Sequence, residues 1–159
     1  NGNRSCTKMM EISNEQLQRL ATGTINPGDV YRMELTTKEG VKPKNEGDTS
    51  RNKYFIVMGV TEDGYLIGFV LINSEINQNI SARARESHYK ILAADYPFLE
   101  KDRYVCCGEL KEIHTSDFFQ RFKQGVVGTI RPDHLDVIRG IIAMSANVSA
   151  GVLKSYGII

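Results

Sequence analysis

A small, highly curved antiparallel β barrel with helices at its periphery is the fold class that the sequence predicts. Three observations carry it. Two long apolar runs, residues 53–60 and 65–72, flank a Glu62-Asp63-Gly64 turn signal. Shorter strand-like segments recur on both sides of this hairpin. One strong helix start, Arg131-Pro132-Asp133, follows them and closes the order of elements.

In chain order, residues 11–21 read as a short helix. Ile12, Leu17 and Leu20 form its apolar stripe, Ser13 with Gln16 has capping-box spacing, and Gly23 ends it. Pro27-Gly28 supplies a turn. Residues 30–35 alternate loosely as a half-buried strand. Residues 36–52 are polar, with Pro43, Gly40, Gly47 and a single valine, Val41, and are expected to form a mobile loop. Residues 53–60, Lys-Tyr-Phe-Ile-Val-Met-Gly-Val, lack alternation, as expected of a strand buried on both faces.

Residues 73–85 read as a loop with room for a helical turn, and 88–92 as a strand. Residues 103–113 read as one strand kinked or bulged at Gly108. Residues 116–122 make a short helix or irregular stretch, and 125–130 a short strand. A helix capped by Thr129 or Arg131 then runs from Pro132 to about Ser145, with Leu135, Ile138, Ile141 and Ile142 facing inward. A further short helix is expected within 147–159.

Composition narrows the function classes. Twenty basic and nineteen acidic residues leave a net charge of +1, so a globally basic nucleic-acid binder is not indicated, whereas a local patch is open. No apolar run approaches the roughly 18 residues of a membrane helix. Residues 1–10 lack the apolar stretch of a secretory leader. Cys6, Cys106 and Cys107 are odd in number, and the adjacent pair points to opposite faces of a strand. Reduced thiols and a cytoplasmic location are the expectation.

The sequence contains no GxGxxG, P-loop, GxSxG or HExxH motif, and no metal-ligand or cofactor signature. His88, His114 and His134 are scattered and read as surface or structural groups. Glu62/Asp63 and Asp133/Asp136 fit turn and helix-start roles. Lys38, Lys42, Lys44, Arg51 and Lys53 crowd five cations around the polar segment. They fit either a solvated loop neutralised by Glu39, Glu46 and Asp48, or a flap that contacts the phosphates of single-stranded RNA.

Several stretches resemble the MazF/PemK family of toxin endoribonucleases. Pro27-Gly28-Asp29-Val30-Tyr31 is similar to that family's opening strand. Lys53-Tyr54-Phe55-Ile56-Val57-Met58 follows a glycine-containing polar loop, as in the family. Residues 103–113 and Gly128-Thr129-Ile130-Arg131-Pro132-Asp133-His134-Leu135 resemble its closing motifs. The resemblance implies an SH3-like barrel, MazF/PemK/CcdB-like, across residues 26–146. An N-terminal extension over 1–25 and a C-terminal tail over 147–159 lie outside it.

It also implies the toxin of a toxin–antitoxin pair, usually a homodimer. Such a toxin cleaves single-stranded RNA without a metal, by 2′-hydroxyl attack that leaves a 2′,3′-cyclic phosphate. On matching positions the family's catalytic arginine becomes Lys53, with Arg51 two residues earlier as a substitute, and its hydroxyl falls at Asn73 or Ser74. The expected catalytic residues are Arg51, Lys53 and Ser74, with Asn73 and the loop cations Lys38, Lys42 and Lys44 as RNA-binding residues. Lys53 stands where the family has arginine, Tyr54 where it has proline, and Gly108 where it has an acid. The alternative is a catalytically silent SH3-like barrel that binds a protein, either a gyrase-type target or a regulatory partner.

Overall fold

A computed structural model describes residues 23–43, 45–77, 79–121 and 125–159. The expected helix over 11–21, Cys6 and Lys44 lie outside these residues. The described chain is mainly β. Its strands are β1 (Asp29–Thr36), β2 (Ser50–Val60), β3 (Leu66–Asn73), β4 (His88–Ile91), β5 (Arg103–Cys106), β6 (Lys111–His114) and β7 (Gly128–Thr129). Its α-helices are α1 (Ala82–Glu86), α2 (Thr115–Arg121), α3 (Pro132–Ala143) and α4 (Ala150–Ser155).

All strand pairs are antiparallel and belong to one curled sheet in the order β4-β5-β3-β2-β1-β7, with β6 also on β3. The hairpin expected around residues 62–64 joins β2 to β3. Asp63 holds its turn, accepting from the Thr61 hydroxyl at 2.6 Å and from the Tyr65 amide at 3.0 Å, and Gly64 adopts φ 78°.

Both faces of β2 and β3 are buried. On one face Ile56, Met58, Val70 and Ile72 pack with Val105 against Leu135, Ile138 and Ile142 of α3 and Leu153 of α4. On the other, Phe55, Val57, Ile67 and Phe69 pack with Tyr31, Met33, Leu35 and Phe118 of α2. The Phe55 and Phe69 rings lie 4.7 Å apart, and Tyr31 meets Phe118 edge-on at 5.0 Å. The register shifts between Val57 and Gly59 as a bulge, which bends the sheet. Beside the bulge, Gly59 pairs with Gly68, and Tyr156 lies on both. A Cβ on Gly68 would come within 2.8 Å of that ring.

Two expectations are corrected. Residues 103–113 are not one strand: the chain leaves the ladder after Cys106 and re-enters it at Lys111, so β5 and β6 pair with different halves of β3. Gly108 permits the break. A Cβ there would meet the Ser87 hydroxyl at 2.6 Å, and its carbonyl takes the Ser145 hydroxyl at 2.7 Å.

The polar loop is also shorter and better anchored than its composition predicts. Thr36 belongs to β1 and residues 50–52 to β2, while Thr37–Glu39 form a 3₁₀ turn with a capping box. Val41 is buried, and so is Glu39, which pairs with Arg121 of α2. Lys111 donates to the Gly40 carbonyl at 3.1 Å. At the helix start, Arg131 is the cap residue but makes no side-chain cap bond; its guanidinium reaches Asp133 at 3.0 Å instead. Among the described residues, no helix is long and apolar enough to cross a membrane.

The Glu39–Arg121 pair is one tether of the loop that borders the site. Removing one partner strands the other charge in a dry setting. Arg121→Met should therefore lower unfolding stability by about 3 kcal/mol in urea titrations. An unchanged midpoint would show that the loop is held otherwise.

Candidate functional site

The ladder sets the site. β2 enters the sheet from its polar end, and successive side chains alternate between faces. Arg51 and Lys53 therefore share the face of Phe55, and Asn52 and Tyr54 take the face of Ile56. On β3, Asn73 follows Phe69 and Leu71 on the same face as Lys53. On β5, Tyr104 stands opposite Asn73.

Arg51, Lys53, Leu71, Asn73 and Tyr104 line an open cleft of about 1430 Å³. Arg51, Lys53, Asn73 and Ser74 form its sheet side with Tyr104 and Cys106. The anchored loop contributes Gly40, Val41 and Lys42. His88 and Lys111 extend it, and Ile76, Ile80, Ile141 and Met144 make an apolar wall. Glu75, Glu86 and Glu109 stand at its exposed rim.

Lys53 is the unusual group. It is 9% exposed, and its ammonium donates to the Asn73 side-chain oxygen at 2.7 Å. Among the described residues it has no ion pair. Burial, and then the like charges of Arg51 and Arg103, lower its pKa from 10.5 to about 8. Arg51 likewise has no carboxylate partner among the described residues.

His88 directs Nδ1 at the Ala84 carbonyl, 2.8 Å away. A carbonyl only accepts, so Nδ1 carries the proton and the neutral ring keeps Nε2 as an acceptor. Cys106, half-buried on the wall, has its thiol pKa raised by burial and then by Glu109. Burial pushes Cys107 up to about 12. Neither has the thiolate character of a nucleophile.

Of the residues singled out in the sequence, Arg51, Lys53, Ser74, Lys42 and Asn73 line this one cleft. Lys38 does not. It pairs with Asp117 of α2 at 3.1 Å. His88, Tyr104 and Lys111 carried no local signal, because only the pairing of β4 with β5 and of β5 and β6 with β3 brings them to the cleft. Among the described residues, no group of three or more His, Cys, Asp or Glu side chains is placed to hold a metal. No protein-family model matches the chain, and no curated protein matches its sequence.

A buried ammonium without a carboxylate costs stability. Lys53→Met should raise stability by about 1–3 kcal/mol at neutral pH. The folded protein releases the Lys53 proton at about 8, whereas the unfolded chain holds it to 10.5. Between these values the unfolded state binds more protons, so parent stability rises with pH and the advantage of Lys53→Met shrinks. Urea midpoints across that window read this directly, and a constant difference would contradict the burial cost.

Proposed function

We propose that the cleft is an endoribonuclease site acting on single-stranded RNA, and that the curled sheet is the SH3-like barrel of the MazF/PemK toxins. One observation carries this reading: a buried, carboxylate-free lysine faces a cleft that also receives Arg51 and Ser74. An anionic ligand supplies the countercharge that the chain withholds. A phosphodiester fits, because its charge grows on the non-bridging oxygens as a phosphorane forms.

In this reading Lys53 and Arg51 hold the scissile phosphate. The Ser74 hydroxyl donates to a non-bridging oxygen. His88 accepts the proton of the attacking 2′-hydroxyl at Nε2. The 2′-oxygen bonds to phosphorus, the bond to the 5′-oxygen breaks with that oxygen taking a proton from water, and the products carry a 2′,3′-cyclic phosphate and a 5′-hydroxyl. Lys42 and Asn73 contact the flanking strand. A cognate antitoxin and a homodimer belong to the same proposal, with function in the cytoplasm.

A second reading has its own support. Met144, 86% exposed at the end of α3, rims the apolar wall with Ile141. A peptide with an acidic and an apolar side would also suit the cleft, as for a silent barrel that binds a protein partner.

Purified protein incubated with mixed RNA in EDTA should give products with those ends. Arg51→Ala, Lys53→Ala and Ser74→Ala should each slow cleavage by roughly a hundredfold. Undiminished rates in all three would remove the assignment, and absence of cleavage by the parent would favour the protein-binding reading. The Lys53 charge has a separate signature. Lys53→Arg keeps its proton at high pH, so the parent-to-variant ratio of kcat/KM should fall about tenfold per pH unit above about 8. A flat ratio would show that the charge of Lys53 is not used.

A further inference from the structure

The opposite face of the same sheet end carries a feature that the cleft does not explain. Tyr54 follows Lys53 and points away from the cleft. The Arg32 guanidinium carbon lies 5.1 Å from its ring centroid, and that of Arg103 lies 5.2 Å from it. Two cations thus share one phenol ring. Among the described residues neither arginine has an ion pair, and the buried Nε of Arg103 has no hydrogen-bond partner. Two like charges beside one ring repel each other, and among the described residues no carboxylate pairs with either.

The same end of the sheet joins this stack to the cleft. Arg32 stands directly across the ladder from Tyr54. Arg103 precedes Tyr104, which lines the cleft. Phe98 extends the aromatic surface, its ring 5.8 Å from Tyr54.

We infer that the Arg32–Tyr54–Arg103 stack is a second contact site for the single-stranded RNA bound in the cleft, taking the phosphates and a base of the strand as it passes round the sheet end. The inference rests on the nucleic-acid reading of the cleft. Tyr54 acts here as a positioning residue. Its ring holds the guanidinium groups in place, leaving N–H edges for phosphate oxygens and planar faces for a nucleobase. Stacking of bases on aromatic rings and guanidinium planes is sequence-tolerant, and only an unpaired strand offers its base faces.

The test uses a fluorescent single-stranded 2′-O-methyl oligonucleotide, which lacks the attacking hydroxyl and so reports binding alone. Anisotropy titrations over a range of salt concentrations give affinity and its salt slope. Arg32→Ala combined with Arg103→Ala should weaken binding at least about tenfold and reduce the slope by about 1.4, or about 0.7 for each phosphate no longer neutralised. Tyr54→Ala should weaken binding about tenfold, and Tyr54→Phe should retain it. Circular dichroism confirms that each variant is folded.

Unchanged affinity and slope in the folded double variant would overturn the inference. Equal binding of a duplex, or equal competition by polyglutamate, would overturn it as well, since the surface would then read charge alone. Parent protein that cleaves RNA without using the stack leaves the cleft reading standing and removes this one. Stack-dependent binding without cleavage does the reverse. Parent protein that neither binds nor cleaves removes both.

Discussion

Burial of β2 and β3 on both faces leaves the central pair no solvent side, so different parts of the chain must cover each face. α3 and α4 cover one, and α2 with Tyr31, Met33 and Leu35 of β1 covers the other. Apolar residues on both faces would by themselves define register poorly, because a slip by one still buries apolar groups. Shape resolves this. Phe55 and Phe69 fill one face, whereas Gly59 and Gly68 leave room on the other for Tyr156. A slipped strand would drive a side chain into that ring. The Tyr156 hydroxyl also donates to Glu112 at 2.5 Å, tying α4 to β6.

The same register fixes the chemistry. Where β2 leaves the double core, the alternation continues into polar residues, and Lys53 remains on the face of Phe55 although the packing beside it ends. The backbone thereby forces an ammonium into a half-dry position. Asn73 relieves part of the cost with a hydrogen bond but supplies no charge. A methionine or leucine at this position would suit the core better. In the proposed reading the lysine is a group held ready for an anion rather than a support of the fold.

Much of this framework is legible in the sequence, for identifiable reasons. The hairpin around Asp63 and Gly64 and the helix opened by Pro132 rest on local signals: apolar runs, a turn residue with positive φ, and a helix-start proline. The break after Cys106 is not legible, because it depends on Ser87 and Ser145 meeting Gly108 from elsewhere in the chain. The anchored loop departs from its composition for a similar reason. Its polarity is plain, but Glu39 finds its partner 82 residues away. At the site, Arg51, Lys53 and Ser74 stand out in the sequence and do line one cleft. Lys38 looks like their equal there, but Asp117 captures it. Arg32 and Arg103 give no local hint, since their shared partner, Tyr54, is reached only through the sheet.

Charge arrangement, rather than charge balance, leaves four cations without ion pairs near one end of this sheet among the described residues. The chain has nearly as many acids as bases, and many of its acids are matched to cations elsewhere. Asp117 takes Lys38, Asp102 takes Lys90, Glu39 takes Arg121, and Asp133 takes Arg131. Glu34, beside this end on β1, accepts from the Ser50 hydroxyl. Arg32, Arg51, Lys53 and Arg103 have no such ion pair among the described residues. Exposed pairs are worth little to stability, so satisfying the outlying cations gains the fold little. Their arrangement leaves Arg32, Arg51, Lys53 and Arg103 without ion pairs where β1, β2 and β5 come together, with Glu75, Glu86 and Glu109 at the cleft rim. Net charge averages this segregation away, whereas a polyanion passing over the molecule would meet it directly.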